Sequence, residues 1–335
     1  MSSGLLPGVA APDPTLEREI RGRLREVEAA LEKAVRADSG MLGETAAYLL
    51  AAGGKRFRPM LILLSGYFGD PADPRLIPGS VVIELVHVAT LYHDDVIDEA
   101  DSRHAVPSAN ARWSNTVAIL TGDYLFARAS EIAAELGTDV CALLARTIAT
   151  LCDGQIREVE AAGRLTQSEQ AYRAIIRRKT GTLIAASCRL GGMLSGAPAP
   201  FVEVLEEFGE ALGMAFQLSD DIMDITSTQL ELGKEPGVDM KEGVYTLPVL
   251  HALATGAQRD ELARLLAAGP PAEERLDRAL EIVRGGDSLA HARAAVAAEV
   301  SRATDLARQL PDNVARGALV TLAEFLATRC GARLS

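Results

Sequence analysis

Two short runs of acid stand out by residue type and spacing: Asp94-Asp95-Val96-Ile97-Asp98 and Asp220-Asp221-Ile222-Met223-Asp224. On a helix turning ~100° per residue, positions four apart return to within about 40° of each other, so Asp94 and Asp98 share a face, as do Asp220 and Asp224. Like charges at that spacing repel. Each run also follows an apolar stretch, so a bound divalent cation would offset both the repulsion and the desolvation of the carboxylates. Carboxylate-only ligands favour Mg²⁺, or Mn²⁺, over zinc. Mg²⁺ keeps waters and takes one or two carboxylates plus phosphate oxygens, which makes a diphosphate the natural third party.

Cations able to receive phosphate lie in three places. Gly53-Gly54-Lys55-Arg56-Phe57-Arg58-Pro59 sets flexible backbone and positive charge before a helix expected from Met60, where N–H groups also point at anions. It lacks the G-x-x-x-x-G-K-[ST] order of a Walker loop. Arg103 follows the first acidic run, and Arg177-Arg178-Lys179-Thr180 opens a further apolar stretch. His87 lies seven residues before Asp94, on nearly the same helical face. Trp113 and Tyr124 read as core aromatics. Cys141, Cys152, Cys188 and Cys330 show no C-x-x-C spacing and read as small buried hydrophobes in a reducing compartment.

The elements that must position these residues are helices. Aromatics are only 4% of the 335 residues, while Ala, Leu, Glu and Arg recur at spacings of three and four, so the fold class is all-α. Asp13-Pro14 caps an opening helix with Leu16, Ile20, Leu24, Val27 and Leu31 on one face. A cap at Ser80 is expected to begin a helix apolar on almost every side, ending at the first acidic run. A second apolar helix from Phe201 ends at the other. No linker suggests a boundary, so residues 1–335 are expected to form a single domain. The last third, from Ala272, shows no evident chemistry. A net charge of −12 argues against nucleic-acid binding. The N-terminus lacks the pattern of a signal peptide, no stretch reads as an uninterrupted membrane span, and a cytoplasmic location is expected.

With these residues in view, the chain resembles the trans-isoprenyl diphosphate synthases of the polyprenyl synthetase family. The match runs in order through Gly53–Pro59, His93–Glu99, Gly122-Asp123, Gly154-Gln155, Lys179-Thr180, Phe216–Asp224, Gly233-Lys234, Gly237, Asp239 and Thr246-Leu247-Pro248. The resemblance implies a bundle of antiparallel helices around a central cavity, usually a homodimer, with Mg²⁺ as cofactor. Asp94, Asp98 and Asp220 would hold the metal, with Asp224 also in the metal set and Asp95 supporting. Asp221 would join the catalytic group. Arg103, Lys179, Thr180, Gln217 and Lys234 would contact the allylic diphosphate or the cation left behind. Gly54, Lys55, Arg58 and His87 would bind isopentenyl diphosphate. Neutralising the leaving diphosphate would let the allylic C–O bond ionise, and the double bond of isopentenyl diphosphate would attack the cation.

Two departures from the family pattern are visible. Arg103-His104-Ala105 stands where Arg-Arg-Gly is common, so His104 replaces an arginine that usually helps bind isopentenyl diphosphate. Val244-Tyr245-Thr246 stands for Lys-x-Thr. The positions that commonly carry an early aromatic stop before the first aspartate are Ala89 and Thr90, with Val86 below them, so no plug closes this helix. Each turn rises ~5.4 Å, close to one isoprene unit, so residues on that face are the possible stops, and the resemblance to long-chain members implies a product of roughly seven to nine units or more. Neighbouring residues resemble those of bacterial long-chain members serving quinone side chains, with farnesyl or geranylgeranyl diphosphate as primer and peripheral contact with a membrane for product release. A C15–C20 synthase and a weakly active regulatory subunit are the alternatives. A terpene cyclase is disfavoured, because Asp220-Asp221-x-x-Asp224 stands where cyclases carry an Asn/Asp-Ser/Thr-Glu triad.

Overall fold

Asp13 accepts the Thr15 and Leu16 amides at 2.7 and 2.9 Å, with Pro14 at the first helical position, so the opening helix starts where the sequence predicts. The computed structural model describes residues 13–36, 40–103, 106–227, 236–267 and 273–333. Along the chain the helices are α1 (Pro14–Ala34), α2 (Gly40–Ala51), α3 (Phe57–Ser65), α4 (Leu76–Ile97), α5 (Ala109–Arg112), α6 (Asn115–Leu136), α7 (Thr138–Ala161), α8 (Glu169–Ile176), α9 (Thr182–Leu194) and α10 (Ala199–Thr226). They continue as α11 (Val238–Lys241), α12 (Leu247–Thr255), α13 (Arg259–Ala267), α14 (Glu273–Gly285), α15 (Ser288–Ala307) and α16 (Val314–Arg329). Among the described residues the only strands are a two-residue pair, β1 (Ser102–Arg103) antiparallel to β2 (Val106–Pro107). The fold class is all-α, as expected.

The helices group into two compact units, each drawn from three stretches of chain. The first comprises Met1–Ile148, Leu183–Gly209 and Leu306–Thr321. Its centre is α4, which packs on α6, α3 and α1. Val82, Leu85, Val86 and Ala89 are wholly buried, because a helix apolar all round can be covered only from every side. By length and composition α4 could cross a membrane, yet 67% of its most apolar window is buried inside the protein. The helix begins at Leu76 rather than at Ser80. Pro78 sits in the first turn, where its missing N–H costs nothing, and Ser80 is an interior residue whose hydroxyl donates to the Leu76 carbonyl at 2.8 Å.

The second unit comprises Ala149–Thr182, Glu210–Asp305 and Leu322–Ser335. Here α12 packs on α8, α13 and α14, and Leu247, Val249, Leu262 and Val283 are buried. The basic cluster does not open a helix. It forms a π-turn, Arg177–Gly181, that joins α8 to α9.

Other expectations need correction. Trp113 and Tyr124 are half-exposed. Trp113 stacks edge-on against Tyr48 at 5.0 Å, and the Tyr124 hydroxyl donates to the Arg36 carbonyl at 3.1 Å. Their polar handles draw them to the edge of the core. Cys188 and Cys330 are buried, but Cys152 is exposed and Cys141 half-buried, because both follow the amphipathic face of α7.

Candidate active site

In the first unit the acidic run closes α4. Asp98 is the C-cap, with φ −85° and ψ 0°, and its N–H still reaches the Asp94 carbonyl at 2.8 Å, so the four-residue spacing keeps its helical geometry. Glu99 then turns left-handed, at φ 50°, and ends the helix. Asp94 is half-exposed and Asp98 exposed, whereas Asp95 is wholly buried. Arg103, on β1, grips Asp95 through Nε at 2.7 Å and a terminal nitrogen at 2.6 Å, both on Oδ1. Arg103, expected to contact diphosphate, braces the acidic run through Asp95 and is 27% exposed. His93 lies 3.5 Å from Asp123 and its Nε2 is 3.1 Å from the Ile119 carbonyl. A β-carbon at Gly122 would fall 2.3 Å from that Nε2, which explains a glycine on α6 opposite the acidic helix end.

The Gly-Lys-Arg segment leads into α3. Lys55 is exposed, and Arg58 is half-buried on the first turn of α3. Among the described residues Arg58 Nε makes no hydrogen bond, and burial lowers its pKa while the Glu84 carboxylate acts against that fall. Such a guanidinium fits an anion. Arg56 does not join it as a phosphate cation. Its backbone is left-handed at φ 46°, and its guanidinium turns inward to Glu28 at 2.7 Å, Glu84 at 2.9 Å and the Leu50 carbonyl at 3.1 Å. A side chain at Gly54 would strike it, with Cβ 2.7 Å from a guanidinium nitrogen. His87 is half-exposed, Thr90 donates to the His87 carbonyl at 2.7 Å, and Ala89 and Val86 are wholly buried.

In the second unit the other run closes α10. Asp221 is buried and receives hydrogen bonds from the Tyr172 hydroxyl and from Gln217 Nε2 at 3.0 Å. Gln217 Oε1 accepts in turn from the Thr180 hydroxyl at 2.8 Å, so three residues singled out by sequence form one network. Burial pushes the Asp221 carboxyl up to about 7, against the bonds from Tyr172 and Gln217, and the charges of Asp220 and Asp224 add to the rise. Asp220 is half-exposed and pairs with Arg329 at 2.6 Å, while Asp224 is 3% exposed. Lys179, on the π-turn, pairs with Glu158, and Arg178 with Asp153 at 2.7 Å. Gly154 on α7 permits this approach, since its β-carbon would lie 2.9 Å from the Lys179 amide. A cavity of about 20 Å³ beside Tyr172 is lined by Glu158, Val244 and Tyr245 among others. His104 and Lys234 lie outside the described residues.

Sequence reading missed Tyr172, Glu158, Glu84 and Arg329. None has a local signal, since each matters through a partner on another element. Among the described residues no three His, Cys, Asp or Glu side chains converge on one point. A pair of oxygen donors on each helix end, leaving further positions for water and phosphate oxygens, nonetheless fits Mg²⁺ and not a closed protein cage.

The polyprenyl synthetase family model matches residues 39–283. The chain is 40% identical over 329 residues to a nonaprenyl diphosphate synthase of Mycobacterium tuberculosis, covering 98% of each. It is 43% identical over 308 residues to a heptaprenyl diphosphate synthase component 2 of Geobacillus stearothermophilus, covering 91% of this chain and 95% of that one. Among solved structures, a geranylgeranyl pyrophosphate synthase from Corynebacterium glutamicum complexed with calcium and isoprenyl diphosphate superposes with TM-score 0.86 at 40% identity, covering 96% of this chain and 99% of that chain. With two acid-ended helices, their bracing cations and this degree of likeness together, the chain belongs to the polyprenyl synthetase family, the Mg²⁺-dependent trans-prenyltransferases that join isopentenyl and allylic diphosphates.

Proposed function

We propose that this protein condenses isopentenyl diphosphate head-to-tail with an allylic diphosphate, farnesyl or geranylgeranyl diphosphate, to give a long all-trans polyprenyl diphosphate for a quinone side chain. The observation that carries the reading is the network Thr180–Gln217–Asp221–Tyr172 at the end of α10, which joins residues expected to face the allylic group to the second acidic run. Asp94 with Asp98, and Asp220 with Asp224, would hold Mg²⁺. When bound, the metal neutralises charge growing on the departing diphosphate and so eases ionisation of the allylic C–O bond.

The chain's own residues do the rest. Arg103 and Tyr172 fix the buried acids, so the helix ends need no rearrangement as charge develops. Lys179 lies on the π-turn with Thr180, and Lys234 is assigned to the same allylic diphosphate by sequence. Lys55, Arg58 and His87, with Gly54 giving close backbone approach, are proposed to bind isopentenyl diphosphate, and His104 to stand in for an arginine there. The small residues Ala89 and Thr90, with Val86 below, support growth to roughly seven to nine isoprene units, one turn of α4 per unit.

A dimer of identical chains acting in the cytoplasm as one catalytic domain, with peripheral membrane contact for product release, completes the proposal. On α6 the exposed residues Thr116, Leu120, Asp123, Ala127, Ser130 and Ala134 alternate at spacings of four and three, the period of a helix–helix seam.

The test is incubation of the purified chain with Mg²⁺, farnesyl diphosphate and isopentenyl diphosphate, with mass spectrometry of the products. A ladder ending at long chains is expected, abolished by chelation of Mg²⁺. A stop at C15 or C20 would refute the long-chain reading. Absence of turnover until a second protein is added would favour the subunit reading, which the likeness to a component 2 keeps in view.

A further inference from the structure

The second acidic run is also held by the last helical residue of α16. Arg329 donates from one terminal nitrogen to Asp220 Oδ1 at 2.6 Å and to the Phe216 carbonyl at 3.1 Å, and from Nε to the Ser219 hydroxyl at 2.7 Å. Its guanidinium also lies over the Phe216 ring at 4.8 Å. The Arg329 side chain is 15% exposed and that of Asp220 43%, so the arginine is held from below and the carboxylate faces outward. This is more than a surface ion pair needs. Four separate contacts on one turn of α10 fix the guanidinium, and a planar fork used this way loses little further freedom when it binds the acid.

A fixed positive charge on a carboxylate that must also take a divalent cation has a definite consequence. It opposes the cation, because both positive charges share one carboxylate at a half-exposed surface, where the repulsion is worth about a factor of ten in affinity. We infer that Arg329 is the counterion that sets the metal affinity of Asp220: it keeps the second acidic run from loading Mg²⁺ alone, so that the metal arrives with the diphosphate whose charge outweighs the arginine. The inference rests on the reading of Asp220 as a metal ligand. It assigns Arg329 a positioning role through Asp220 and no contact with substrate.

The test measures the unfolding temperature of the full chain against Mg²⁺ concentration, first with no diphosphate and then with inorganic pyrophosphate. Variants are Arg329→Gln, Arg329→Lys and Asp220→Asn. In Arg329→Gln without pyrophosphate, the Mg²⁺ midpoint should fall about tenfold, whereas Arg329→Lys, which keeps the charge, should stay near the parent value. With pyrophosphate present the difference between parent and Arg329→Gln should shrink. Asp220→Asn should raise the midpoint and abolish the effect of a second change at Arg329.

An unchanged or raised midpoint in Arg329→Gln, beside a raised one in Asp220→Asn, overturns the role of Arg329 alone. An unmoved midpoint in Asp220→Asn overturns the metal reading of Asp220 and the inference with it. Loss of the Phe216 and Ser219 contacts lowers the metal-free unfolding temperature. It does not move the Mg²⁺ midpoint, so structural damage is told apart from the proposed effect.

Discussion

Arg56→Met should destabilise the protein in a way that depends on pH. The guanidinium pairs with Glu84 at 2.9 Å, and the two side chains are 8% and 5% exposed. Its other acid, Glu28, is 44% exposed and can be re-solvated, so the penalty falls on Glu84. Breaking a buried pair by removing one partner costs about 3–5 kcal/mol. Glu84 can limit that cost by taking up a proton. A free glutamate titrates near ~4.3, so holding one neutral costs about 4 kcal/mol at pH 7 and about 1 kcal/mol at pH 5.

The sign follows from linkage. Burial already raises the Glu84 pKa above its unfolded value, against the attraction of Arg56 and Arg58. The folded state therefore binds more protons between the unfolded and folded pKa, and stability falls as pH rises through that window. Without Arg56 the window extends upward. Unfolding by urea at several pH values should show a gap between parent and variant that shrinks by about 2–3 kcal/mol from pH 7 to pH 5. Adding Glu84→Gln should flatten the dependence. A gap that is constant with pH, or wider at pH 5, refutes the reasoning.

Three further outcomes are expected. Ala89→Phe, at a wholly buried site on α4, should shorten the product and cost about 1–3 kcal/mol by overpacking, read by product mass spectrometry and thermal unfolding. His104→Arg should lower the Michaelis constant for isopentenyl diphosphate and remove any improvement at low pH, since an arginine keeps its charge throughout; an unchanged constant contradicts the assignment. Gly191→Ala should lower stability by about 1–3 kcal/mol, because the new β-carbon would fall 2.3 Å from the Ile62 carbonyl oxygen and α9 must move away from α3.

Helix identity was legible wherever burial repeats with the helical period. Leu16, Ile20, Val27 and Leu31 are all buried on α1, and α4 lies among its neighbours as its all-round apolarity requires. Boundaries were less legible. Ser80 has the chemistry of a cap, but Pro78 fits equally well inside a first turn, and only packing decides between them. The basic cluster was visible as charge and not as a π-turn, and the glycine that lets α7 pass close to that turn, Gly154, lies on another helix. Arg56 illustrates the opposite error. Three cations in one segment look alike in sequence, yet the two acids that claim Arg56, Glu28 and Glu84, lie 28 positions away on either side.

The spacing of the acidic runs carries a division of labour that becomes clear only with burial known. The second aspartate of each run lies about 100° round the helix from the first, so when the first faces outward the second faces the interior. Asp95 is accordingly 0% exposed and clamped by Arg103, and Asp221 is 1% exposed and held by Tyr172 and Gln217. Each is a carboxylate that could not remain buried without such donors. Asp94 and Asp220 are half-exposed and Asp98 is exposed, so all three can reach solvent. Asp224 departs from this division: it is 3% exposed, and its carbonyl accepts the Gly237 amide at 2.9 Å. The paired acids are thus two kinds of residue at one spacing. The inward member is tied to a donor on another element, and the outward first member of each run stays open to solvent.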